Sequence, residues 1–123
     1  YSSAASDVYK RQALEQAAEH PDAVISTGGG LPMWRDNMER VLSLGLSVYI
    51  RRSPEQIMSR LSPYGRHKRP KFRGLDDEQL LAFMHTNMAE REPVYLRANV
   101  TLDGEGRSDD ELIDGILEMI RKP

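Results

Sequence analysis

Three consecutive glycines are the first residues of this sequence whose type and spacing could do chemistry. Gly28, Gly29 and Gly30, together called the glycine loop, follow a short apolar run at residues 23–27. Where side chains are absent, a ligand can approach the backbone closely, and parallel sheets bind ligands just beyond their strand ends. The glycine loop is therefore a candidate binding site, although the sequence is equally compatible with a plain turn.

A dense cationic stretch is the second candidate. Six basic side chains and no acidic one lie between residues 60 and 73: Arg60, Arg66, Lys68, Arg69, Lys71 and Arg73. Like charges repel one another unless an anion neutralises them, and the planar guanidinium of arginine matches pairs of phosphate oxygens. With Gly65 and Gly74 as hinges, this stretch could be a lid that closes over a polyphosphate. The alternative is a solvated loop with no ligand.

Arg91 is the third candidate, because it lies at the predicted end of a helix just before Pro93. Glu90 and Glu92 flank it, but consecutive residues on a helix do not face one another, so neither is its natural partner. Arg91 could therefore bind an anionic ligand. A salt bridge to another helix is the alternative.

The elements that must position these residues alternate between strand and helix. Short apolar runs predict strands at residues 23–27, 47–51 and 100–103. Apolar spacing and capping residues predict helices over 13–20, 35–44, 54–61, 76–92 and 109–120, and residues 62–74, the lid segment, are expected to be a loop. Strands separated by helices form parallel sheets with helices on both faces, so the predicted fold class is α/β, with three α/β/α layers.

Helix ends carry the clearest local signals. Ser53, Pro54 and Gln56 form a capping box with proline in the first turn, and Ser108 with Glu111 forms a second box. The predicted inner face of the last helix consists of Leu112, Ile113, Ile116, Leu117 and Ile120.

Composition bounds the class of protein. The chain has 123 residues, 39% hydrophobic and 29% charged, with 17 basic and 19 acidic side chains and no cysteine. This length favours one domain, and the net charge of −2 gives no general attraction to nucleic acid. The absence of cysteine excludes disulfides and favours a cytoplasmic location. The longest uncharged stretch, residues 23–34, is too short for a membrane span. We expect a monomer that binds neither nucleic acid nor membranes.

Residues 1–12 differ from the rest because they are small and polar and show no apolar period. We expect them to be a disordered or non-native leader, such as a translated sequencing adapter. The domain is then expected to cover residues 13–123.

Taken together, three motifs closely resemble shikimate kinase. They are the strand ending in the glycine loop, Arg69 with Pro70, and the run from Arg91 to Tyr95 that is followed by Ala98. Their order and spacing match this family across about residues 13–123. The resemblance implies a P-loop kinase fold and phosphoryl transfer from ATP to the 3-hydroxyl of shikimate, with Mg²⁺, in aromatic amino-acid biosynthesis.

The resemblance also implies roles for individual residues. Gly28, Gly29 and Gly30 correspond to the backbone contact with the shikimate hydroxyls, and Arg91 to the arginine that holds the carboxylate. Arg69 corresponds to the catalytic lid arginine that also contacts the ATP phosphates. Arg60 and Arg107 correspond to further ATP-binding residues.

Several family motifs are missing, and two positions depart from the family pattern. The phosphate-binding loop, the acidic motif and the Phe-Arg motif are absent, so the chain resembles the C-terminal two-thirds of the enzyme, without its metal ligands. We therefore expect the isolated chain to be inactive and marginally folded. Lys71 with Phe72 and Asn99 differ from the usual family residues. The alternatives are another small-molecule P-loop kinase, such as a gluconate kinase, or a non-catalytic module that binds an anionic metabolite.

Overall fold

The computed structural model describes residues 3–121, except for the side chains of residues 3–7, 66 and 70. Its helices are α1 (Ser3–Ala17), α2 (Asn37–Leu44), α3 (Pro54–Arg60), α4 (Pro63–Lys68), α5 (Asp77–Tyr95) and α6 (Asp109–Arg121). The strands are β1 (Val48–Arg51) and β2 (Val100–Asp103), and short 3-10 turns cover Leu31–Met33 and Pro70–Phe72.

The two strands form a parallel pair, which confirms the predicted α/β class. Val48 lies opposite Val100, and Arg51 lies opposite Asp103. Asn99 sets this register, because its Oδ1 accepts hydrogen bonds from the Ser47 N–H at 2.9 Å and from Ser47 Oγ at 3.0 Å. The Asn99 side chain therefore aligns the beginnings of both strands.

The prediction of a strand at residues 23–27 is wrong. This segment has no regular structure, and Val24 is 101% and Ile25 40% exposed. A strand is stable only when a neighbour pairs with its backbone. In the described part of the chain, the sheet contains β1 and β2 alone. The apolar run is thus a strand signal without a pairing neighbour among the described residues.

Helix starts follow the predicted capping chemistry. Ser53 accepts a hydrogen bond from the Gln56 N–H, and the Gln56 side chain accepts one from the Ser53 N–H, at 3.2 and 3.1 Å. Asp76 and Gln79 form the same reciprocal pair at the start of α5. Ser108 Oγ accepts from the Glu111 N–H at 3.2 Å. Local sequence therefore determines where these helices begin.

The predicted end of α5 before Pro93 is wrong, because the helix continues to Tyr95. Proline lacks an N–H and therefore removes one helical hydrogen bond. The following turn still closes, since the Leu96 N–H donates to the Glu92 carbonyl at 2.9 Å. This extra turn carries Tyr95, which reaches the glycine loop.

The lid segment contains α4 and a 3-10 turn, so its prediction as an irregular loop is also wrong. Ser62 Oγ accepts from the Gly65 N–H at 3.0 Å, and Pro63 occupies the first helical position. This Ser-Pro pair repeats the signal at Ser53 and Pro54. The first two residues of the lid segment, Ser62 and Pro63, could therefore have predicted a helix there.

Helix α1 begins at Ser3, whereas the sequence predicts helix only from residue 13. Arg11 Nη1 donates to Asn37 Oδ1 at 2.6 Å and to Asp36 Oδ1 at 2.9 Å. Residues 3–12 are therefore helical in the structure. The origin of residues 1–12 as a non-native leader stays a prediction, and residues 1 and 2 lie outside the described part of the chain.

The core consists of side chains from all parts of the chain. Its buried apolar residues are Leu14, Leu31, Met38, Leu80, Met84, Leu102 and Leu112. Helix α6 buries less than its pattern predicts, because Ile113, Leu117 and Ile120 are 52%, 39% and 62% exposed. Apolar spacing selects a face, but a face is buried only where another element packs against it.

Candidate functional site

Helix α5 brings Arg91 and Tyr95 to the glycine loop. Residues four apart share a helix face, so both side chains point the same way. The Tyr95 hydroxyl donates a hydrogen bond to the Gly29 carbonyl. A Cβ on Gly29 would lie 3.0 Å from Tyr95 Oη and 3.2 Å from Arg91 Nη1. Two of the three motifs separated in sequence thus meet in space.

Two glycines suit this geometry for different reasons. Gly28 has a φ of +70°, a conformation that residues with side chains rarely adopt. A methyl group on Gly29 would press on the ends of the Arg91 and Tyr95 side chains, which would have to shift by a few tenths of an ångström. The loop therefore presents bare backbone beside a guanidinium group.

Arg91 has no ion pair or hydrogen bond among the side chains that the structure describes, so the predicted alternative of a salt bridge finds no partner there. Its neighbour Glu92 is bound elsewhere: Glu92 Oε1 lies 3.0 Å from Arg51 Nη2, and Glu92 Oε2 accepts from the Tyr49 hydroxyl at 3.2 Å. One of the two flanking acids is therefore neutralised on the β1 side of the helix, and no described contact joins the other, Glu90, to Arg91. This arrangement leaves the charge of Arg91 available to an anion.

Two tyrosines pack against each other on the β1 side of the candidate site. The rings of Tyr49 and Tyr95 lie 5.2 Å apart at an angle of 50°. Burial, followed by the negative charge of Glu92, raises the pKa of Tyr49 to about 12. Tyr49 is therefore a neutral hydrogen-bond donor at neutral pH, and it holds Glu92 against β1.

The predicted ATP-binding residues lie near the ends of the two strands. Arg60 Nη2 lies 3.3 Å from Asp109 Oδ1, which ties the end of α3 to the start of α6. Arg107 is exposed and precedes Asp109 by two residues. The sequence did not single out Arg52, whose Nη2 lies 3.3 Å from the same carboxylate. Arg52 and Arg60 thus share the carboxylate of Asp109, and Arg107 lies in the loop just before it.

Arg69 is exposed and packs locally within the lid segment. Its guanidinium lies 5.7 Å from the centre of the Phe72 ring, and Phe72 meets Phe83 of α5 edge to face at 6.0 Å. No described contact links Arg69 to Gly29 or Arg91. The structure therefore brings together the glycine loop and Arg91, while Arg69 stays apart from them.

Sequence reasoning missed three residues of this site as candidates: Tyr49, Glu92 and Tyr95. Tyr95 lies four residues after Arg91, and that spacing could have identified it. Tyr49 and Arg51 share one face of a strand, because side chains alternate along it. Their pairing with Glu92 spans more than forty residues and leaves no local signal.

The described residues contain no group of three or more histidine, aspartate or glutamate side chains that could hold a metal ion. None of the helices in this part of the chain is long and apolar enough to cross a membrane.

Parallel strands linked through helices define an α/β protein, and bare backbone beside an arginine without a described partner forms a candidate site for an anionic ligand. Comparison with known proteins narrows this class. A family model described as shikimate kinase matches residues 9–121. The chain is 40% identical over 96 residues to shikimate kinase of Parabacteroides distasonis, covering 78% of this chain and 55% of that protein.

Other proteins similar to this chain are also shikimate kinases. Shikimate kinase of Bacteroides fragilis is 33% identical over 113 residues, covering 92% of this chain and 63% of the relative. The crystal structure of shikimate kinase from Bacteroides thetaiotaomicron superimposes with a TM-score of 0.74 at 29% identity, covering 89% of this chain and 62% of that one. The chain belongs to the shikimate kinase family, and it spans less than two thirds of the length of these relatives.

Proposed function

We propose that this chain is the substrate-binding and lid part of a shikimate kinase, which transfers the γ-phosphate of ATP to the 3-hydroxyl of shikimate. The observation that carries the proposal is the meeting of Arg91 with the glycine loop in a chain of this family. Shikimate is a cyclic polyol with one carboxylate. Its carboxylate corresponds to Arg91, and its hydroxyls correspond to the glycine loop.

Arg91 supplies the charge that holds the carboxylate. A guanidinium can donate two parallel hydrogen bonds to a carboxylate, which fixes orientation as well as affinity. Because Glu92 is already paired with Arg51 and Tyr49, it does not compete for Arg91. The peptide groups of Gly28, Gly29 and Gly30 then meet the ring hydroxyls.

The ATP side of the reaction belongs to the lid segment and the strand ends. Arg69 leaves Phe72 when the lid segment closes, and its guanidinium stabilises the charge on the transferring phosphoryl group. Arg60 and Arg107 flank the nucleotide. Phosphoryl transfer is catalysed largely by such positioning and charge stabilisation.

The family implies Mg²⁺, but the described residues offer no set of ligands that fits this ion, so no step is assigned to it. The main elements that bind ATP also belong to motifs this sequence lacks. We further propose a monomeric, cytoplasmic enzyme whose partners are shikimate and ATP, with no nucleic acid or membrane partner. The isolated chain is inactive in this proposal.

A hybrid enzyme tests the proposal. In the hybrid, residues 13–123 replace the C-terminal part of the Parabacteroides distasonis shikimate kinase. The hybrid is then assayed with ATP and either shikimate or gluconate. We expect ADP to form when shikimate is the second substrate and not when gluconate is. Phosphorylation of gluconate but not shikimate would identify the rival kinase, and binding of shikimate without turnover would identify the non-catalytic module.

A further inference from the structure

The hydroxyl of Tyr95 touches the part of the backbone that is proposed to meet substrate. It donates to the carbonyl of Gly29, a residue 66 positions earlier in the chain. Gly29 and Gly30 are joined by a trans peptide bond, in which the carbonyl and the following N–H point in opposite directions. The contact with Tyr95 therefore determines where the Gly30 N–H points.

The Gly30 N–H has no hydrogen-bond partner among the described residues, so it is free to donate to a ligand. An exposed glycine loop has many backbone conformations available to it, and holding one of them costs conformational entropy. A hydrogen bond from a fixed side chain removes part of that cost before substrate arrives. Binding then requires less ordering of the loop.

Tyr95 is itself fixed from the opposite side. Its ring packs on Tyr49, whose hydroxyl donates to Glu92, and Glu92 pairs with Arg51. The Glu92 side chain is only 15% exposed, which limits its movement. Because Glu92 lies three residues before Tyr95, this cluster holds the same turn of α5 that carries Tyr95 and Arg91.

We propose that Tyr95 is a positioning residue for substrate: its hydroxyl orients the Gly29–Gly30 peptide for a substrate hydroxyl, and the Arg51–Glu92–Tyr49 cluster holds Tyr95 in place. The role rests on the proposed function, because the ligand is taken to be shikimate. Tyr95 acts through the glycine loop and not on the reacting atoms.

The test compares Tyr95→Phe with a matched control in the hybrid enzyme. Tyr95→Phe keeps the ring on Tyr49 and removes only the hydroxyl. Tyr64→Phe makes the same chemical change at a tyrosine that is 75% exposed and whose side chain has no described contact. Each chain is titrated with shikimate and followed by the backbone NMR resonances of residues 28–30.

We expect the Gly29 carbonyl and Gly30 amide resonances of Tyr95→Phe to differ from wild type before ligand is added, and its shikimate dissociation constant to rise roughly tenfold. Tyr64→Phe should match wild type in both. In the wild-type chain, nuclear Overhauser effects should connect the Tyr95 ring protons to the Gly29 α-protons. Absence of those effects would overturn the proposal without any variant.

The outcomes separate the two proposals. If wild type and Tyr95→Phe bind shikimate equally, the positioning role is wrong and the proposed function stands. If wild type does not bind shikimate, the assigned ligand is wrong and the positioning role for it falls as well.

Discussion

Arg91 owes its availability to residues that surround it in space and not in sequence. Glu92 is its neighbour along the chain, yet Arg51 and Tyr49 bind that carboxylate from β1. A charged side chain beside bare backbone is a site for a ligand with a complementary charge. Binding at the candidate site therefore depends on how closely Arg91, Tyr95 and Gly29 approach one another.

Substitution of Gly29 tests this close approach. In Gly29→Ala, the new methyl group would lie 3.0 Å from Tyr95 Oη and 3.2 Å from Arg91 Nη1, so both must move. We expect shikimate affinity of the hybrid enzyme to fall roughly tenfold, since small misplacements of binding groups are costly. Isothermal titration calorimetry measures it. Gly45→Ala is the control, because nothing lies within 4 Å of that position; equal affinities for both variants would contradict the geometry.

Tyr49 gives a prediction about pH. Burial and Glu92 raise its pKa to about 12, from 10.0. The folded state therefore holds the phenol proton more tightly than the unfolded state, so this contribution to stability is complete below pH 10 and is lost as the pH rises through 12. Urea unfolding at pH 9 and pH 11.5 should show a larger loss of stability in wild type than in Tyr49→Phe. Equal losses would show that Tyr49 is not buried beside Glu92.

The elements of the site differ in how firmly they are held. Helix α5 begins with a capping box and ends with Tyr95 bound to the glycine loop. The lid segment rests on α5 through Phe72 and Phe83, with Arg69 over the exposed side of Phe72. An edge-to-face aromatic pair contributes about 1 kcal/mol, which is weak enough for the lid segment to open and close.

Arg69 should affect the chemical step more than binding of shikimate. In a hybrid enzyme, we expect Arg69→Ala to lower kcat by roughly 10³- to 10⁵-fold, the range for arginines that stabilise transferring phosphoryl groups. The KM for shikimate should change much less. Steady-state kinetics measure both values, with Arg73→Ala as a control for charge in the same segment. A rise in KM at unchanged kcat would remove Arg69 from the catalytic role.

Elements whose signals are local could be predicted from the sequence. Ser53 and Gln56 predict the start of α3. The predicted starts of the strands that follow Ser47 and Asn99 agree with the structure to within one residue. The prediction of a strand at residues 23–27 was wrong because a strand depends on a distant neighbour. The prediction that α5 ends before Pro93 was wrong because contacts with Tyr49 and Gly29 hold one more turn of the helix.

The candidate site was predictable to the extent that its residues form motifs. The glycine loop and Arg91 were identified from type and position, and the structure brings them together. Tyr49 and Glu92 were missed because their contact joins segments 43 residues apart. Their roles in binding, like that of Arg69, stay predictions.

Residues 23–27 have no strand partner among the described residues, and Val24 and Ile25 are exposed there. Among the described residues, β1 pairs with β2 alone, and the glycine loop therefore follows a segment without strand partners. The binding site is better held on its α5 side than on the side of residues 23–27.

Amide hydrogen exchange should reveal this difference. We expect amides of β1 and β2 to be protected and those of residues 24–27 to exchange at nearly the unfolded rate, because their backbone groups lack partners. Mass spectrometry or NMR of the 123-residue chain measures both regions in one experiment. Strong protection at residues 24–27, with cooperative urea unfolding, would contradict this view of the fold.

The most direct test of the central claim is the KM for shikimate of the hybrid enzyme with and without Arg91. A hydrogen-bonded charge pair contributes about 1.5–3 kcal/mol, so Arg91→Ala should raise the KM roughly 10- to 100-fold with a smaller change in kcat. Arg97→Ala is the matched control, because Arg97 is exposed and lies 3.8 Å from Glu39. An Arg91→Ala variant with the same KM as Arg97→Ala and wild type would contradict the claim that Arg91 holds the substrate carboxylate.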